Sequence, residues 1–425
     1  MKCHVALTLF FGAVLALFPA RGLRSAPDVP NEIPARGKYL TVLGDCVACH
    51  TNSPDKPFAG ARPINTPFGV IYSRNITPDK ETGIGRWSPD QFHRAMHEGI
   101  RADGTHLYPA FPYTYFTHIS RSDSDAIHAY LNTVPPVHEE TPPNQLPFPL
   151  SVRALMRVWN GLYFDKGYYR PDSSKSAEWN RGAYIVTGAG HCGACHTPKN
   201  SLGADESGRA LTGGIIDSWF AADLTRTPRT GLADWTDQEI VEYLKSGRNA
   251  RATASGSMQE VIVYSTSLMQ DTDLHAIAVY LKDQVSRRDT QKTSQPDSAA
   301  MLAGQAIFQD ECSACHRAQG GGVPRFFPPL SGDSSLQSRD ATTIIRLVLE
   351  GSRSPATPGL PTPLAMPAFA WKLTDQHVAD LVTYVRNSWG NRAAPVSAGD
   401  VRDLRTKIAG AGPSPAVRDA MIRDH

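Results

Sequence analysis

Apolar and polar positions along the chain fall into three similar stretches, set apart by polar or proline-rich segments. Each stretch ends in a helical pattern with one apolar face and an aromatic residue near its centre: 126–131 with Tyr130, 274–281 with Tyr280, and 378–385 with Tyr384. Polar residues that read as caps come just before, namely Ser122-Asp123, Asp271 and Thr374-Asp375. Each stretch also begins with a short helical run containing a glycine: Gly37-Lys38-Tyr39-Leu40, Gly182-Ala183-Tyr184-Ile185 and Gly304-Gln305-Ala306-Ile307-Phe308. A glycine on one helix and an aromatic on the other suit a close crossing. The pattern predicts an all-α chain in which the first helix of each stretch packs on the last.

The apolar run from Val5 to Phe18 is different. It follows Lys2, precedes the small residues Ala20, Gly22 and Ala26, and is short for a membrane span, so residues 1–26 read as a signal peptide. An uncleaved anchor is the alternative. No later run reaches transmembrane length, so membrane association would have to come through a partner or a surface helix. The expected layout is one domain over 34–134, a linker over 135–175, a second domain over 176–285, a linker over 286–298, a third domain over 299–392 and a polar tail over 393–425. Within the first linker, 135–149 is proline-rich and stiff, whereas 153–164 is aromatic and suited to packing between the first two domains. Composition adds little: 41% hydrophobic residues exclude a disordered chain, and a net charge of +2 gives no argument for nucleic acid.

The cysteines decide the chemistry. Of the seven, Cys3 lies in the signal segment and the other six form three pairs. These are Cys46-Val47-Ala48-Cys49-His50, Cys192-Gly193-Ala194-Cys195-His196 and Cys312-Ser313-Ala314-Cys315-His316. Each reads C-x-x-C-H, the attachment motif of c-type haem. Two thiols three positions apart reach the two vinyl groups of one porphyrin, and the adjacent histidine becomes the proximal iron ligand. Disulfides, redox dithiols or half zinc sites would explain one such pair. Three occurrences that use every mature cysteine argue for three covalently bound haem c groups, with His50, His196 and His316 as axial ligands.

A second axial ligand is expected from the loop before each last helix. Met366 and Met258 stand there in the third and second stretches. In the first stretch Phe111 takes that place and cannot ligate iron. The sixth ligand there is His106, His118 or Met96, or the iron is five-coordinate. Trp87 and Trp235 follow matching strings, Asn75-Ile76-Thr77 with Thr82-Gly83-Ile84 and Asp223-Leu224-Thr225 with Thr230-Gly231-Leu232. Core packing accounts for these tryptophans slightly better than a place at a haem edge.

From about Gly37 to Asn391 the chain resembles the tri-haem cytochrome c subunit of bacterial membrane-associated periplasmic dehydrogenases. The strings that carry the likeness include Thr66-Pro67-Phe68-Gly69, His106-Leu107-Tyr108-Pro109-Ala110, His196-Thr197-Pro198 and Tyr384-Val385-Arg386-Asn387-Ser388-Trp389-Gly390-Asn391. The resemblance implies three tandem cytochrome c domains. It also implies a periplasmic location on the outer face of the cytoplasmic membrane, a catalytic partner (quinoprotein, flavoprotein or molybdoprotein), and delivery of electrons to ubiquinone or a terminal oxidase. It supports Met258 and Met366 as distal ligands. Two positions depart from the pattern: Phe111 replaces methionine, as in cytochromes that accompany molybdenum hydroxylases, and Asp223 replaces asparagine. No nucleotide loop or nucleophile pattern is present, so no catalytic site of its own is expected. The alternatives are a free periplasmic electron shuttle and a haem enzyme that uses an open first haem.

Overall fold

A computed structural model describes residues 32–285 and 295–411. The signal segment over 1–26 and most of the second linker lie outside the described residues. The N-terminal section runs through α1 (Glu32–Leu43), α2 (Cys46–His50), β1 (Pro63–Thr66), β2 (Gly69–Tyr72), α3 (Pro89–Glu98), α4 (Tyr113–Phe116) and α5 (Arg121–Leu131). After α6 (Met156–Tyr163), the middle section holds α7 (Ala177–Tyr184), α8 (Gly193–His196), β3 (Thr212–Ile216), β4 (Trp219–Asp223), α9 (Asp237–Ser246), α10 (Ser257–Tyr264) and α11 (Asp271–Lys282). The C-terminal section comprises α12 (Ser298–Glu311), α13 (Ser313–His316), α14 (Thr342–Glu350), β5 (Ser352–Arg353), β6 (Ala365–Met366), α15 (Asp375–Val385) and α16 (Ala398–Ala411).

The anticipated crossings form in all three sections: α1 on α5, α7 on α11, and α12 on α15. Gly37, Gly182 and Gly304 lie at the contact points. A Cβ there would run into the carbonyls of Ala126, Ala276 and Asp380 respectively. Only glycine lets the two backbones come this close. One apolar core spans the N-terminal and middle sections, drawing on Leu40, Leu43, Ile185, Val186, Leu274 and Ile277. A second, separate core fills the C-terminal section around Phe308, Leu349, Val378 and Val382.

The matching strings around Trp87 and Trp235 have a local cause. Ser88 and Thr236 each form a capping box, with Gln91 and Glu239 reaching back to the cap N–H, and so start α3 and α9. Both tryptophans are partly buried against the shared core. Two of the anticipated caps lie elsewhere. Ser120, not Ser122, accepts from the Asp123 N–H, and Asp271 is the first helical residue behind Gln270. Thr374 caps α15 as expected.

Two features differ from the sequence reading. Three two-stranded antiparallel ribbons accompany the helices: β1–β2, β3–β4 and β5–β6. They are too short to show a period of two in the sequence. The Asp217-Ser218 turn has positive φ at both residues (46° and 57°), which matches the strand twist of a tight hairpin. Part of the expected polar tail is also structured. Val401, Leu404 and Ile408 recur at helical spacing, and α16 packs them onto α14 and α15. Charged residues between them, Arg402, Asp403, Arg405 and Lys407, mask that stripe in the sequence.

The N-terminal and middle sections exchange side chains reciprocally. Arg36 on α1 binds Asp123 on α5 of its own section, and Arg181 on α7 binds Asp273 on α11. Tyr184 of the middle section donates to Asp123, and Tyr39 of the N-terminal section donates to Asp273 at 2.8 Å. Each tyrosine oxygen also accepts a backbone N–H at the start of the opposite helix, from Ser120 at 3.0 Å and Gln270 at 3.1 Å. This is a local two-fold within one chain. In the C-terminal section, Ala303, Ala306 and His377 occupy the equivalent places relative to the glycine and its contact. That section attaches through another surface. Phe220 and Thr343 exchange hydrogen bonds at 2.8 and 3.1 Å, and Arg346 lies over the Trp219 ring while donating to the Asp217 carbonyl.

Candidate haem-attachment sites

Each C-x-x-C-H motif lies on a short helical turn that follows the first helix of its section, Cys46 opening α2 and Cys192 and Cys312 standing just before α8 and α13. The three histidines share one arrangement. Nδ1 of His50 lies 2.6 Å from the Arg74 carbonyl, that of His196 lies 2.7 Å from Ala222, and that of His316 lies 3.0 Å from Pro328. A carbonyl only accepts, so Nδ1 carries the proton and Nε2 keeps its lone pair. A carbonyl at the far nitrogen is the outer-shell contact that orients an imidazole ligand. Burial lowers the pKa of all three, which favours the neutral ring that a metal requires.

The six cysteines are unpaired. Burial pushes the thiols of Cys46, Cys192 and Cys312 up to about 12, and that of Cys195 upward as well. No cluster suited to a bare metal ion occurs among the described residues. Neutral thiols beside a neutral histidine fit thioether attachment of a porphyrin. Buried cations fit it too. Arg386, just after α15, is 1% exposed and has Nε and Nη1 without partners among the described residues, while Nη2 donates to Ser338 O at 2.9 Å. Burial lowers its pKa to about 10. Among the described residues Arg248 also has two nitrogens without a partner, and the Trp219 indole N–H has none either. Propionate carboxylates are the acceptors such groups require. Sequence reasoning passed over these arginines, because burial without a carboxylate leaves no trace in spacing.

The motifs lie close to one another. His191, just before Cys192, places Nε2 3.2 Å from the Gly44 carbonyl, two residues before Cys46. Arg62 donates to Ala48 O inside the first attachment turn and binds Glu260 on α10 at 2.6 Å. Met258 stands on the first turn of α10. Gln259 beside it donates to Ser352 on β5 at 3.2 Å, and Ser352 pairs with Met366 on β6. A continuous run of contacts therefore joins the first motif, the helix carrying Met258 and the strand carrying Met366.

Among the candidates for the first site, Met96 is 5% exposed and lines a cavity with Cys46, Leu40 and Phe116. His118 lies on the seam between sections, with Nδ1 2.7 Å from Thr187 O. His106 has a buried Nδ1 without a partner among the described residues. Phe111 packs on Phe116 with ring centroids 5.3 Å apart.

Comparison with known proteins agrees with this geometry. The family described as Cytochrome c matches residues 301–389. The chain is 38% identical to the cytochrome c subunit of a quinone alcohol dehydrogenase from Gluconacetobacter polyoxogenes, covering 93% of this chain and 89% of that protein. It is 39% identical to the gluconate 2-dehydrogenase cytochrome c subunit of Pantoea cypripedii, covering 89% and 91%. It is 35% identical to the fructose dehydrogenase cytochrome subunit of Gluconobacter japonicus, covering 92% and 87%. A helix-rich fold, attachment turns with oriented histidines and these relatives converge: the chain belongs to the family of cytochrome c subunits of dehydrogenases, which bind haem c covalently.

Proposed function

We propose that this chain is an electron-transfer subunit with three covalently bound haem c groups, one in each of three tandem cytochrome c domains. It takes electrons from a periplasmic dehydrogenase and passes them to ubiquinone at the outer face of the cytoplasmic membrane. The observation that carries the reading is the threefold recurrence of one arrangement, a C-x-x-C-H turn whose histidine Nδ1 is held on a backbone carbonyl. His50, His196 and His316 orient as proximal ligands, with Met258 and Met366 as distal ligands at the second and third sites. Bound haem supplies reversible one-electron chemistry, and the protein sets its potential, spacing and access. Arg62, Glu260 and Gln259 hold the neighbouring sites in fixed register. The names of the relatives support a catalytic dehydrogenase as partner. Met96 is the side chain available beside Cys46 to complete the first site.

Native purification of the tagged chain from solubilised membranes, with intact-mass measurement, tests the proposal. The expected result is a polypeptide heavier by three haem masses that co-purifies with a quinoprotein, flavoprotein or molybdoprotein. Fewer haems would refute the count. Recovery of the chain alone from the soluble periplasmic fraction would refute the subunit assignment.

A further inference from the structure

Of sixteen large apolar side chains that stand exposed among the described residues, eight lie between Phe148 and Tyr168. No other stretch of the described residues holds so many, and exposed apolar groups gathered in this way mark interaction sites. The segment is ordered. A 3-10 turn over Arg153–Leu155 leads into α6. Met156 is buried beneath the helix, and two cross-links fix its inner side. Asn160 accepts from Tyr113 Oη of the N-terminal section at 2.6 Å, and the Trp159 indole donates to Leu202 O of the middle section at 3.0 Å. Leu155, Val158 and Leu162 recur at helical spacing on the opposite side. Val158 and Leu162 are 63% and 67% exposed, and Phe148 is 83% exposed.

Within the segment itself the charges have one sign, although Asp103 lies near Arg153 and Asp165 follows the helix. No acidic residue occurs from Thr141 to Phe164, whereas Arg153 and Arg157 do. Arg157 is exposed next to Val158, and Arg153 lies over the Tyr108 ring at 4.6 Å. An exposed apolar stripe edged by arginine, with Trp159 and Tyr163 at its flank, has the composition of a helix lying in a membrane interface. No helix among the described residues is long and apolar enough to span a bilayer, so such a surface would have to act from outside.

We propose that α6 and the segment leading into it form a peripheral membrane-docking face that inserts Leu155, Val158 and Leu162 among acyl chains and sets Arg157 against anionic headgroups. The inference rests on the electron-transfer reading above only in naming a bilayer, the home of ubiquinone, as the occupant.

The test uses the haem-loaded full chain in co-sedimentation with two vesicle preparations, phosphatidylcholine alone and phosphatidylcholine with phosphatidylglycerol. The wild type binds the anionic vesicles and binds less as salt rises. Val158→Asp with Leu162→Asp lowers the partition coefficient by about a hundredfold or more, since two aliphatic side chains no longer leave water. Arg157→Glu lowers binding to anionic vesicles and leaves binding to neutral ones unchanged. An unaltered haem absorption spectrum in each variant shows that the fold is retained. Wild-type protein that stays in the supernatant, or a double variant that sediments like the wild type, overturns the proposal. So does a double variant that keeps vesicle binding but loses the catalytic subunit, which would assign the face to the dehydrogenase. Haem content read on the same samples separates these failures from a failure of the haem count.

Discussion

Removing the hydroxyl of Tyr39 or Tyr184 is expected to loosen the N-terminal and middle sections and to leave the C-terminal section untouched. Each hydroxyl donates to a nearly buried carboxylate, and a hydrogen bond to a charged group contributes about 1.5–3 kcal/mol. The carboxylates keep their arginine partners, but Arg36 and Arg181 are 60% and 37% exposed and partly screened by water. The loss at either site therefore falls near the low end, about 1–2 kcal/mol for Tyr39→Phe or Tyr184→Phe. The double variant loses at least the sum, because both bonds close one seam. Hydrogen exchange of the holoprotein at neutral pH measures this. Amides of α5 and α11 that exchange through opening of the seam should speed up by about 5–30-fold in a single variant, while those of α15 keep their rates. The effect also depends on pH in a defined direction. Burial raises the pKa of Asp273, but hydrogen bonds from Arg181 and Tyr39 and the Arg181 charge outweigh burial and hold it below the usual carboxylate range. Its stabilisation is present above the unfolded carboxylate pKa of about 4 and is lost as pH falls through the lower folded value. The Tyr39→Phe penalty is therefore largest at neutral pH and shrinks below about pH 4. Exchange rates in α5 and α11 that stay within about twofold of wild type, or α15 amides that accelerate equally, would refute the reasoning.

Two further outcomes are expected. Gly304→Ala forces a Cβ into the Asp380 carbonyl and should cost about 1–3 kcal/mol by separating α12 from α15; thermal unfolding of the C-terminal section reads it. Met366→His should lower the reduction potential of one haem without changing haem content, since histidine in place of a methionine ligand lowers the potential; spectroelectrochemical titration would show one component moving and the others unmoved.

The helix crossings were legible because their cause is local: a glycine where backbones touch and an aromatic on the opposing helix leave a pattern that repeats. The C-x-x-C-H turns were legible for the same reason, since two cysteines and a histidine at fixed spacing share one turn. What escaped reading depends on contacts far apart in sequence. Nothing near Tyr39 announces that its hydroxyl reaches Asp273, 234 residues away, and nothing near Arg386 announces that α15 buries it. The β3–β4 ribbon was missed because Gly213-Gly214 breaks any alternation. The C-terminal helix was missed because Val401, Leu404 and Ile408 form a sparse stripe among small and charged residues. In the first linker, aromatic content pointed correctly to packing between sections, but not to the apolar side that α6 leaves facing outward.

The reciprocal tyrosines bear on how such a chain can be cut and recombined. A break between α5 and α7 that parted the two halves would leave each with half of a shared core and a carboxylate robbed of a donor. Neither half would be a sound building block. A break before α12 leaves both pieces with closed cores, and the ties severed are the Phe220–Thr343 exchange and a handful of side-chain links. The natural units of exchange are thus a pair and a single. Rearrangements that add or drop the terminal piece should be tolerated far more readily than any that divide the pair.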